Sequence, residues 1–112
     1  MLQQPAGYGV VLVTVATEEE AKTIAQAVVE AKLAAAVGLS PVYSIYRWQG
    51  EIHKKHEWQL VMKSNLALFP TLEAKIRELH SYQLPEIIAL PIVNASPAYQ
   101  QWIDEQLQIE CS

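Results

Sequence analysis

The sequence predicts an α+β domain of the ferredoxin-like, split βαβ class, β-α-β-β-α-β with a long central β-hairpin and a C-terminal helix. Three observations carry this expectation. Val10 to Val15 is a β-branched, nearly uninterrupted apolar run; two helical stripes each open on a start signal; and between them two long extended stretches meet at Gln49-Gly50. At 112 residues the chain is one domain, 1–112, with its ordered core expected over about residues 8–108.

The first strand, from Tyr8 through Val15, has the composition of a strand buried on both faces. Thr17-Glu18-Glu19-Glu20 has the form of a capping box, in which Glu20 reaches back to the Thr17 amide, and its acids suit the positive end of a helix dipole. Ala21, Ile24, Ala25 and Val28 then recur at helical spacing to about Lys32. Leu33 to Trp48 is extended, with a bulge or bend expected at Ser40-Pro41. Gln49-Gly50 is a two-residue turn, and Glu51 to Lys63 returns as an alternating strand. Trp58, Leu60 and Met62 fall on its apolar face; Glu51, His53, Lys55, Glu57 and Gln59 fall on its polar face. Phe69, Leu72, Ile76 and Leu79 make a second helix with Pro70 near its start, and Ile87 to Val93 is a second strand of buried type. Ser96-Pro97 opens a terminal helix striped by Tyr99, Trp102, Ile103 and Leu107.

Half of the chain is apolar (51%), which places it among folding rather than disordered sequences. A net charge of −4 argues against nucleic acid as partner, because tracking phosphates needs a basic face. No stretch approaches the ~20 apolar residues of a membrane span, and Met1 to Gly7 lacks the pattern of a signal peptide. The single cysteine, Cys111, excludes an intrachain disulfide framework, and a cytoplasmic location is the expectation. Hairpin strands of about a dozen residues exceed the usual ~5–6 and leave apolar edges open, a hazard that pairing with neighbouring subunits would remove.

Five segments together resemble the CutA divalent-cation-tolerance family, in the same order and spacing. They are Lys32–Ala35, Tyr46–Ile52, Glu57–Ser64, His80–Ile92 and Tyr99–Ile103, within a resemblance spanning Val10 to Leu107. It implies a homotrimer of ferredoxin-like subunits with hairpins pairing across subunits, an architecture similar to the PII signalling proteins. It also implies a link to metal tolerance, with copper binding in some members. The departures from the family pattern concern the metal. Val13, Leu79 and His80 stand where members with a proposed copper site carry a cysteine and two adjacent histidines. Ala36 stands where many have another cysteine, and Ser81 replaces a proline.

His80, Glu86 and Glu57 are the candidate metal ligands, imidazole plus carboxylate being suited to Cu²⁺ or Zn²⁺ bound weakly. The competing assignment makes His80 a helix-terminal residue favoured by the dipole and Tyr82 a packing residue. Trp48, Lys63 and Tyr82 are candidates for a ligand cleft; in the CutA family the segments carrying Glu57, Lys63 and Trp48 line clefts between subunits. A lysine and a glutamate there suit an anionic or zwitterionic molecule against an aromatic wall, while the alternative is an interface ion pair and a packed tryptophan. His53 and His56, an odd number apart in a strand, point to opposite faces; His53 and Glu57 share a face but lie ~13 Å apart. The segment is therefore assigned as a solvated hairpin.

No Gly-rich phosphate loop and no nucleophile–base set is present in the sequence, so an enzyme is not expected and no cofactor is obligatory. The leading expectation is a non-enzymatic trimer with weak divalent-metal binding. The alternatives are a PII-like small-molecule sensor, with a small-molecule or protein partner, and a structural trimer without a ligand of its own.

Overall fold

The computed structural model describes residues 7–108. Along it run β1 (Tyr8–Val15), α1 (Glu18–Glu30), β2 (Ala36–Trp48), β3 (Glu51–Asn65), a 3-10 turn (Leu66–Leu68), α2 (Phe69–Leu79), β4 (Ile87–Pro91) and α3 (Pro97–Gln106). The strands form one sheet in the order β2-β3-β1-β4, antiparallel at every junction. This is the ferredoxin-like arrangement the sequence predicts. Of the ends expected to be loose, Met1–Ala6 and Ile109–Ser112 lie outside the described residues.

Half of the expected capping box forms at α1. The Thr17 hydroxyl accepts from the Glu20 amide at 3.1 Å, but the Glu20 side chain turns away to Ser81. The helix stops at Glu30, two residues early, because Lys32 takes a left-handed conformation (φ 59°). The amides of Lys32 and Leu33 then close back on Val29 and Val28 at 3.0 and 2.9 Å, the paired bonds of a Schellman ending. The strand expected from Leu33 consequently begins at Ala36. Leu33 and Ala34 are instead buried in the connector, where the buried Ser64 hydroxyl donates to the Leu33 carbonyl at 2.7 Å.

The hairpin arm is regular. Each residue from Ala36 to Trp48 faces one partner on β3, so the bulge expected at Ser40-Pro41 is absent. Within the chain β2 is an edge strand, and an edge tolerates a proline that a central strand would reject. Gln49 (φ 52°) and Gly50 (φ 81°) form the tight turn, both in the positive region that a primed hairpin turn requires. Strands of 13 and 15 residues stretch the molecule to 48 × 36 × 26 Å.

Both α1 and α2 cover the same face of the sheet. Val11, Val13 and Val15 of β1 and Leu60 and Met62 of β3 are buried there against Ile24, Val28, Leu72 and Ile76, with Trp58 half-buried at the margin. The alternate residues are not closed off. Val10, Leu12 and Val61 are half-buried, and Ile88 and Leu90 are each 47% exposed. Neither β1 nor β4 is therefore buried on both faces within one chain. β4 is also shorter than expected, ending at Pro91 and leaving Val93 exposed. A second small core joins Ile103 and Leu107 to Ala35, flanked by Tyr8 and Leu68. Tyr99 and Trp102, expected in the same stripe, lie toward the outside with rings 5.4 Å apart.

Candidate functional site

The strand register places Thr14, Ser44, Tyr46, Trp48, Lys55 and Glu57 on the sheet face that the helices leave bare, where the hairpin arm leaves the body. A strand alternates its side chains, so Glu57 faces away from the helical layer while Trp58 faces it. The loop after α2 folds over this surface and brings Tyr82, Leu84 and Glu86 to it. Together these residues line a cleft of about 640 Å³.

At the floor of the cleft Glu57, which falls on the polar face of its strand, is only 5% exposed. The Tyr82 hydroxyl donates to Glu57 Oε2 at 2.5 Å. Lys55 Nζ is 3.9 Å from the same oxygen and 4.4 Å from the centroid of the Tyr82 ring. Burial first, and then the hydrogen bond to Glu57, pushes the Tyr82 phenol above its ordinary value. Lys55 is also held up, chiefly by the Tyr82 oxygen; desolvation opposes this, and the coulombic effects of Tyr82, Tyr46 and Glu57 add to it.

His80 and Glu20 set the loop. His80 Nε2 lies 2.8 Å from the Thr14 carbonyl, which can only accept, so Nε2 carries the proton. Nδ1 then accepts from the Tyr82 amide at 3.1 Å. The His80 side chain is 1% exposed, and Glu20 Oε2 lies 3.6 Å from Nδ1. Glu20 also accepts from the Ser81 amide and hydroxyl, both at 2.9 Å. A helix-start glutamate and a helix-end histidine thus fix the backbone from which Tyr82 reaches Glu57.

The sequence candidates separate into those the cleft gathers and those it does not. Trp48, Glu57, Tyr82 and Glu86 line it. Lys63 lies at the opposite end of β3, paired with Val10 and Ala36, and is not in the lining. His80 sits beneath the loop with both ring nitrogens engaged. Within one chain His80, Glu57 and Glu86 do not assemble as a ligand set, and no group of three or more metal-ligating side chains occurs among the described residues. His53 and His56 do face opposite ways, their rings 5.6 Å from Tyr46 and 4.9 Å from Tyr43. Lys55, assigned to the solvated hairpin, belongs to the cleft. Alternation placed it on the face of Glu57, but nothing in the sequence shows that a loop covers that face. Glu20 carries no signal beyond its capping position.

The family model of the CutA1 divalent ion tolerance protein matches residues 9–106. The chain belongs to that family. The Thermus thermophilus divalent-cation tolerance protein CutA is 47% identical over 97 residues, covering 86% of this chain and 94% of its own. Mouse protein CutA is 39% identical over 102 residues, and the match spans 90% of this chain but 58% of the mouse protein. The solved Thermus divalent cation tolerance protein superposes with a TM-score of 0.88 at 45% identity, covering 90% of this chain and 99% of that one. Against the CutA pattern, the substituted positions serve packing. Val13 is fully buried in the core and Leu79 packs against it, so neither offers a donor atom to a metal.

Proposed function

We propose that this CutA-family chain acts in divalent-cation tolerance as a non-enzymatic homotrimer, with the Glu57–Tyr82 cleft as its working site and with weak, copper-type binding of divalent metal. The observation that carries this reading is the cleft itself: a nearly buried carboxylate under a tyrosine, flanked by a lysine, aromatic side chains and a second carboxylate. Weak metal affinity follows from counting donors. With both His80 nitrogens engaged, Glu57 and Glu86 are the carboxylates left to meet an ion, and water completes its shell. Titration of copper(II) by calorimetry is expected to give micromolar or weaker binding that Glu86→Gln reduces. Nanomolar binding indifferent to Glu86→Gln would place the site elsewhere.

The homotrimer is supported by the bare sheet face, where Val10, Leu12, Val61, Ile88 and Leu90 form one apolar surface that, among the described residues, has no helix over it. The long arm beside it supports the same assembly, because an edge strand of 13 residues gains most by pairing. Light scattering at low micromolar concentration is expected to give three times 12.5 kDa.

A second reading, a PII-like small-molecule sensor, is favoured by cleft size. About 640 Å³ falls in the range of organic-ligand pockets, far larger than one ion needs. Thermal shift with divalent metals against small organic molecules separates the two readings, since a ligand of the folded state raises its apparent stability.

A further inference from the structure

We infer that the cleft selects a small organic ammonium ion with a flat apolar body, an inference that rests on the cleft being the working site. Among the described residues, both polar contacts of the Glu57 carboxylate fall on Oε2. No buried side-chain oxygen or nitrogen there lacks a partner, so Oε1 is the oxygen that meets the cleft. A carboxylate only 5% exposed cannot be well hydrated, and a cationic hydrogen-bond donor gains most from such an acceptor.

The remaining charges point the same way. Among the described residues of one chain, the lining holds two carboxylates, Glu57 and Glu86, against one ammonium, Lys55. Lys55 lies 3.9 Å from Glu57 Oε2 and over the Tyr82 ring, so part of its charge is balanced inside the cleft and it offers an anion less than an isolated ammonium would. Glu86 is exposed at the mouth, placed to draw a cation inward. Tyr46 and Trp48 add aromatic surface for a flat body and for the cation beside it. A bare divalent ion would find only two carboxylates and no imidazole, leaving most of the cleft unfilled. An organic ammonium uses the open carboxylate oxygen, the rim charge and the aromatic surface together.

Three probes with the same body test this: phenethylamine, 2-phenylethanol and 3-phenylpropionate. Each is titrated against the full-length protein by calorimetry, with the Trp48 indole resonance followed by NMR. The amine is expected to bind about tenfold more tightly than the alcohol, a difference of one charge-assisted hydrogen bond, and the carboxylate not to bind. Glu86→Gln, which removes an exposed rim charge, should lower the amine's advantage about twofold and leave the alcohol unchanged, whereas Trp48→Ala should weaken both. Glu57→Gln, used if its thermal transition matches wild type, should abolish the preference. Binding of 3-phenylpropionate equal to or tighter than phenethylamine would overturn the ammonium assignment while leaving the cleft a binding site. No perturbation of Trp48 by any of the three would overturn the cleft reading itself.

Discussion

The two faces of the sheet are built from the same strands and largely the same residue types, yet only one is finished. On the helix side Val11, Val13, Leu60 and Met62 are between 0% and 2% exposed. On the other side their sequence neighbours Val10, Leu12 and Val61 are half-buried, and Ile88 and Leu90 stay 47% exposed. The difference is one of cover. Both long helices pack on one layer, so a single chain closes one core and leaves the second face open. That face is divided between an apolar part, suited to other subunits, and a polar end where the α2–β4 loop forms a cleft over Glu57. What distinguishes the faces is thus a local core against a surface that takes its meaning from what arrives on it.

The contrast can be broken most completely at Leu90. Leu90→Asp places a charge on the bare face and is expected to eliminate the species of three times 12.5 kDa in light scattering at low micromolar concentration. Retention of that mass would move the interface off this face. On the finished side Leu60→Ala should cost about 2–5 kcal/mol, read from the urea midpoint at unchanged slope, because the residue is fully enclosed. A loss below about 0.5 kcal/mol would mean that the helices do not seal that core.

The smallest expected effect lies in the cleft. Tyr82→Phe removes the donor to a nearly buried carboxylate and should cost about 1–3 kcal/mol near neutral pH. The Tyr82 phenol titrates higher in the fold than in the unfolded chain. Its contribution is therefore complete below about pH 10, the unfolded value, and is lost as pH rises through the higher folded one. Lys55, raised as well, acts in the same sense from its own unfolded value near 10.4. Denaturation profiles between neutral pH and about pH 11 should accordingly fall less steeply for Tyr82→Phe than for wild type. Parallel curves would show that the hydroxyl makes no pH-dependent contribution.

The element order, the Gln49-Gly50 turn, the Ser96 cap and the split between His53 and His56 were legible in the sequence because each rests on local geometry: periodicity, a positive φ, a side chain within one turn, the alternation of a strand. Trp48, Glu57, Tyr82 and Glu86 were legible as site candidates, although not the arrangement that joins them. Contacts between residues far apart in sequence decided the rest. Glu20 meets Ser81 across 61 positions, His80 meets the Thr14 carbonyl across 66, and Tyr82 meets Glu57 across 25. Those contacts engage both ring nitrogens of the candidate ligand His80 beneath a loop, and draw Lys55 from a solvated arm into a cleft. The physical reason is that alternation states which side of a strand a residue takes, whereas burial depends on what the folded chain lays over that side.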